Sequence, residues 1–473
     1  MKTFLRTTLV ALFCLATTGL FAQLSDLHYL PPLKQKDGAF VQQTIYVTTP
    51  ETETFQVYVY RGTSTEPVAT LNVSNTSTAT YNPGDGNNGI TLVSDANTGV
   101  VHSNAGLRFE SENGKKFYVN WRGRSASQGS SLTSKGRAAL GTAFKWVGIP
   151  NRGAQLTALS NSLGIMATED NTVVSIFGYN PNTTFRQGSS EEGLTADDIT
   201  VTLNKGQTYV LESSVTTANS PNRDGWLGAS ITSSKPIAVN FGQMHIQPVA
   251  GSTSRDAAID QIIPENTLGK EYVLVRGRGI DGLEFPVVIA TQNNTQIFVN
   301  GGTTPIATIN NGDYYAIPST YYSQSSTNSS VPGGNLYVRT SKEAYVVQSL
   351  AGDVSDATGD VNFIAPINCL LSNTVNNIPD VSVVAGQTIS GGITIIASTA
   401  IADQDIVVTY GIMQVPTATL TAAKKSVTGN TEWKTYYLAG LTGAVKSECH
   451  RANSCWLFRL PKCNWCIRIF FRV

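Results

Sequence analysis

Short apolar runs that alternate with polar residues set the first limit on what this 473-residue chain can fold into. FQVYVYRG, TVVSIFG, QTYVLESS, KPIAVNFG, TQIFVNGG, DYYAIPS and ITIIAST are rich in Val, Ile, Tyr, Phe and Thr and are bounded by Gly, Asn, Asp and Pro. A period of two places successive side chains on opposite faces of a strand, and the bounding residues are those that tight turns require. Beyond the N-terminus no long window carries apolar residues at helical spacing. The body is therefore expected to be all-β.

The runs recur in a fixed order. LGTAFKWVGIPNRG from Leu140 matches LGKEYVLVRGRG from Leu268, and IMATEDNTVVSIFG from Ile165 matches VIATQNNTQIFVNG from Val288. VTLNKGQTYVLES from Val201 matches ATINNGDYYAIPS from Ala307, and TSSKPIAVNFGQ from Thr232 matches RTSKEAYVVQSLAG from Arg339. Four matches in one order mark an internal duplication. Weaker echoes flank it: YVTTPETETFQVYVYRG and ENGKKFYVNWRG before, TIIASTAIADQDIVVTYGI and TEWKTYYLAGLTGAVK after. The expectation is a tandem of about four antiparallel β-sandwich-like modules at 23–130, 131–250, 256–355 and an incomplete 365–446, each ~100 residues. Segments 125–134 and 251–255, rich in Ser and Gly, are expected to be mobile linkers.

Each recurring piece has a sheet-building reading. Asp170 and Asn171 suit a tight turn, and Asn204-Lys205-Gly206 and Asn310-Asn311-Gly312 supply residues that tolerate positive φ at hairpin ends. Pro236 is expected to open a strand, where no ladder donor is needed.

The ends of the chain differ from its body. Lys2 and Arg6 precede the apolar stretch TLVALFCLATTGLF, and Ala22 offers a small residue before Gln23, so 1–22 reads as a cleaved export signal. The stretch is too short and too broken by Thr17, Thr18 and Gly19 for a membrane span, so none is expected after signal removal. Cys14 follows Phe13 and lacks the small residues of a lipid-anchor signal. Lys plus Arg equals Asp plus Glu at 33 each, which argues against a nucleic-acid partner. Between Ala22 and Ser447 the one cysteine is Cys369, so the body relies on packed cores and not on disulfides.

The ordered motifs ATEDNT, VTLNKGQTYVL, GASITSSKPIAVNFG, DQIIPENTLGKEYVLVRG and VVIATQNNTQIFVNG resemble the IgGFc-binding protein N-terminal region, found in a mammalian mucus protein and in secreted proteins of gliding and related bacteria. The likeness runs from about Tyr46 to Gly443. It implies a secreted or cell-surface protein that binds an extracellular protein or glycan and has no catalytic role. The family often has a Cys-Asp-His run before its acidic-Gln motif; here SRDAAIDQIIPEN keeps Asp256, Asp260, Gln261 and Pro264 and lacks the Cys and His. Immunoglobulin binding is therefore not carried over residue by residue.

Catalytic, cofactor and metal sites are expected to be absent. His28, His102 and His245 are isolated, with no nucleophile elbow, zinc-protease helix or phosphate loop nearby. Glu191, Glu192, Asp197 and Asp198 lack a defined calcium-ligand spacing and read as a solvated loop. Trp121, Trp146, Trp226, Tyr314, Tyr315, Tyr321 and Tyr322 raise the alternative of a carbohydrate-binding module, because an exposed ring can stack on a sugar; core packing is the competing use.

Residues 447–473 gather Cys449, His450, Cys455, Cys463 and Cys466. Only Cys463 and Cys466 have the Cys-x2-Cys spacing of a zinc site. Here the Gly, Ser and Thr background also stops, at the point where a PIAV-type strand is due. Read one base later, permitted codons give ANATGPIAVGFFGYPNATGASGYFSG, in which Trp456 and Trp465 must become Gly. The segment is expected to be an out-of-frame tail, leaving the last module with an unpaired edge. A gene whose neighbouring frames encode no such strand after the codon for Lys446 would refute this.

Overall fold

The computed structural model describes residues 23–36, 40–126, 128–153, 159–215, 220–250, 254–279, 281–323, 332–351, 359–367, 374–384, 386–388, 391–449 and 468–471. Their fold is all-β, in antiparallel sheets, with one short parallel pair between Leu33–Lys34 and Leu92–Val93. Phe55–Arg61 shows the local cause: Phe55, Val57 and Val59 are buried while the residues between them are half-buried. Among the described residues the one α-helix is Thr417–Ala423.

A bent 17-residue strand organises the middle of the chain. The first part of Ser230–Ile246 lies between Gly141–Lys145 and Thr172–Phe177, and the second part between Leu159–Ala167 and Asp256–Gln261. Asp198–Leu203 and Thr208–Val215 extend the two layers outward. One strand thus serves two sets of partners within a single eight-stranded sheet. Pro236 sits inside this strand, not at its start: pairing with Val174 ends at Ser233 and pairing with Ala167 begins at Ile237. The missing proline donor falls where the strand changes partners, so no ladder bond is lost there.

The same pairing order recurs around Asn335–Ala351, also 17 residues long. Its first part lies between Gly269–Val275 and Thr295–Val299, its second between Pro286–Ala290 and Gly359–Phe363. Near the N-terminus the long strand is split by the 3-10 turn Glu112–Gly114. There Leu107–Ser111 pairs with Leu27–Leu30 and Phe55–Arg61, and Tyr118–Arg124 pairs with Gln42–Thr48 and Gly129–Thr133.

These pairings move the expected boundaries. Asp256–Gln261 adds to the sheet of the residues before it, so the break expected between 250 and 256 falls within one sheet. Gly129–Thr133 is likewise a paired strand, so the expected mobile linker at 125–134 is largely ordered. Each segment completes the ladder of the strand before it, a demand that outweighs its Ser and Gly content. Residues 251–253 lie outside the described residues.

The units also share cores. One cluster joins Trp146, Ile165, Trp226 and Phe241 to Phe285, Tyr345 and Phe363, with the rings of Trp146 and Trp226 stacked at 4.4 Å. A smaller cluster joins Val273 and Tyr337 to Ile396 and Trp433. Arg122 donates to the main-chain oxygens of Asp380 and Val383 at 2.7 and 2.9 Å, which brings the C-terminal strands against the N-terminal ones.

In the C-terminal unit Val445–Cys449 lies between Thr374–Ile378 and Ile406–Tyr410. The place beside Gly392–Ser398 is taken by Arg468–Phe471. The edge expected to be unpaired is therefore covered over those four residues, because backbone hydrogen bonding accepts a strand of almost any apolar sequence.

Candidate functional site

The tryptophans do not form an exposed platform. Trp146 and Trp226 are fully buried, Trp121 and Tyr322 are buried, and Tyr314, Tyr315 and Tyr321 are half-buried. Trp146 donates its indole N–H to the Ser162 carbonyl and Trp121 donates to Gln43. Rings of this size gain most from complete burial once the indole donor is satisfied. Of the residues that suggested a carbohydrate reading, the three tryptophans and Tyr322 are in the interior, and Tyr314, Tyr315 and Tyr321 keep part of their surface exposed.

The acidic cluster also disperses. Glu191, which accepts from Arg186 at 3.2 Å, and the exposed Glu192 lie on the strand Ser190–Leu194 and not in a loop, while Asp197 and Asp198 are exposed at the start of Asp198–Leu203. Among the described residues no group of three or more His, Cys, Asp or Glu is placed to hold a metal. His450, Cys455, Cys463 and Cys466 and the side chain of Cys449 lie outside the described residues, as does Cys369.

Three histidines lie among the described residues, each with a contact inside the fold. His102 contacts the Asn97 carbonyl. His245 is buried at a bulge in its strand with φ of 116°, and Gln128 donates its amide N–H to Nε2 at 2.9 Å. His28 is fully buried against Phe117, with Nε2 2.9 Å from the Phe117 carbonyl oxygen. Burial lowers the His28 pKa to about 4. The unfolded chain takes up this proton near pH 6.5 and the folded chain does not, so the stability is complete above 6.5 and is lost as pH falls through about 4. Relative to His28→Leu, the wild type is expected to lose about 3 kcal/mol between pH 6.5 and 4, read from urea midpoints.

Two polar features remain. The first is an open cleft of about 440 Å³ where the N-terminal unit meets the next. Tyr29, Thr63, Ser103 and Arg108 face Asp170, Lys205 and Gln207 across it. The two sides meet closely: Gln207 donates to the Ser103 hydroxyl at 3.2 Å, and a Cβ at Gly206, where φ is 81°, would collide with the Gly62 carbonyl oxygen. Asp170 accepts from the Lys205 N–H at 2.9 Å, which fixes the hairpin end. Hydroxyls, two amides, one carboxylate and two cations line the cleft. Such a surface can hydrogen-bond a polar ligand.

The second is a buried seam where Gly129–Thr133, Asp256–Gln261 and Gly359–Phe363 pack together. Lys135 donates from Nζ to Asp260 Oδ1 at 2.7 Å, both side chains being 7% exposed. Asp260 Oδ2 accepts from the Phe363 N–H at 2.9 Å, and Asp256 Oδ2 from the Gly359 N–H at 2.7 Å. Asp360 accepts from the Ser130 hydroxyl at 2.6 Å. Burial first, and the nearby Asp260 charge in addition, hold the Asp360 carboxyl well above the usual carboxylate range, against the opposing bonds from Ser130 and Val361. Gln261 donates to the Tyr29 carbonyl and to Asn240 and accepts from the Lys135 N–H. Pro264 packs on Gly141, where no Cβ would fit. Asp256, Asp260, Gln261 and Pro264 thus clamp units together. Lys135, Ser130 and Asp360 were missed by sequence reasoning; a lone charged residue following a strand carries no signal of its distant partner.

A model of the family described as IgGFc binding protein matches residues 129–455, more than half of the 473-residue chain. No curated protein and no solved structure matches the chain.

Proposed function

From its membership of the IgGFc-binding protein family, to which this chain belongs, we propose that it is a secreted protein of the cell surface that adheres by binding an extracellular protein and performs no catalysis. The observation that carries this reading is the family match over 129–455. The shared cores support it as well, since tightly joined units present one rigid surface to a partner. Among the described residues no helix is long and apolar enough to cross a membrane.

The full chain, immobilised and exposed to immunoglobulin Fc, extracellular matrix proteins and a glycan array, tests the reading. Saturable binding to a protein that survives enzymatic removal of its glycans is the expected result. Binding that follows the glycan alone would replace it with the carbohydrate reading. A hydrolytic activity abolished by one Asp, Glu or His substitution would overturn it.

Residues 447–473 remain, in this reading, an out-of-frame tail. Its support is the abrupt loss of the Gly, Ser and Thr background at the place where Ser230–Ile246 and Asn335–Ala351 carry their long strands.

A further inference from the structure

We propose that Lys135 and Asp260 join through an intramolecular isopeptide bond, Nζ to Cγ, within the buried seam. The contact of 2.7 Å between Nζ and Oδ1 sets Nζ about 3.5 Å from the carboxyl carbon, a near-attack separation. Both side chains are almost wholly removed from water. An ion pair in such a place is poorly solvated, and transfer of the ammonium proton to the carboxylate yields the neutral amine and acid that condensation needs.

The surroundings supply the rest. Thr133 accepts from Nζ at 2.8 Å and aims the amine. The N–H groups of Gln261 and Phe363 donate to the two carboxyl oxygens at 2.8 and 2.9 Å, where negative charge develops as nitrogen adds to carbon. Asp360, on the adjacent strand, is a buried acid that can release and recover a proton. The amine lone pair forms the C–N bond, and the C–OH bond breaks. The hydroxyl departs as water with a proton from Asp360, which regains one from Nζ. One water is lost, and no oxidant, reductant or co-reactant is needed.

A second buried pair differs in its donors. Lys434 and Asp403 lie 2.8 Å apart, but Asp403 also accepts from Lys424 and Tyr436. Against the effect of burial, Lys424, Lys434 and the Tyr436 hydroxyl hold its carboxyl below the usual range, whereas the further donors to Asp260 are the main-chain N–H groups of Gln261 and Phe363. The Lys135 link would tie residue 135 to residue 260 and enclose the whole intervening unit, in a body whose one cysteine is Cys369. It would serve the role that disulfides fill in other extracellular proteins.

Mass spectrometry of the denatured full-length protein is the test. The wild type is expected to be lighter by one water, with a branched tryptic peptide joining the Lys135 and Asp260 segments. Lys135→Arg and Asp260→Ala are expected to show full mass, and Asp260→Asn the same link formed with loss of ammonia. Asp360→Ala is expected to fold, by circular dichroism, without the link. Full mass for the wild type overturns the proposal, as does a branched peptide that persists in Asp260→Ala.

Discussion

Replacing Arg122 by alanine is expected to cost about 3–5 kcal/mol and to free the C-terminal strands from the rest of the molecule. Arg122 is fully buried, its guanidinium lies over the Tyr46 ring at 4.5 Å, and burial pushes its pKa down to about 10. It donates to Asn120 and to the carbonyl oxygens of Pro379, Asp380 and Val383. Truncation removes the donors of three carbonyls at once, and each buried acceptor left without a partner costs about 1–3 kcal/mol. Lysine is a poor substitute because one ammonium cannot reproduce the planar fork. Limited proteolysis is the direct measurement: cleavage between 374 and 449 is expected to precede cleavage elsewhere in Arg122→Ala. An unchanged digestion pattern would mean that the other contacts of this junction, such as Lys446 with the Asn75 carbonyl, suffice.

Arg186→Ala is the second large effect, again about 3–5 kcal/mol, and its cause is charge. Glu212 is completely buried and pairs with Arg186 Nε, while Ser160 donates its hydroxyl to the same carboxylate at 2.5 Å. Without the guanidinium, an anion remains inside a sheet with one hydroxyl partner. On its outer side Arg186 also meets Glu191 and the half-exposed Asp95, pairs that solvent weakens. The double variant Arg186→Met with Glu212→Leu is expected to recover most of the loss, because apolar groups of similar volume need no partner. Urea unfolding of the two single variants and the double gives the coupling directly. Equal losses in all of them would show that packing, not charge, sets the cost.

Much of the fold was legible because strands write their burial into every second residue. Phe55, Val57 and Val59, or Val174 and Ile176, reveal an inward face without any knowledge of what lies opposite. The duplication was legible for a related reason, since the same pairings need the same pieces in the same order. The partner switch near Pro236 was not, because one uninterrupted run serves two sets of partners and the proline that falls at the change reads equally as the start of a strand. Trp146 and Trp226 carried two readings, platform or core, that differ only in what stacks on the ring; each stacks on the other. The seam was least legible of all, since Lys135, Asp260 and Asp360 are separated by at least a hundred positions at each step.

By itself, then, the order of residues determined the all-β class, the recurrence of its strands and the family, because these depend on local periodicity and on motifs read along the chain. Tertiary structure alone decided which strand closes which sheet, that neighbouring units share cores, and that charges such as Arg122, Glu212 and Asp260 lie in the interior. Burial and pairing of that kind are properties of two surfaces brought together, and a side chain acquires them only when its distant partner arrives.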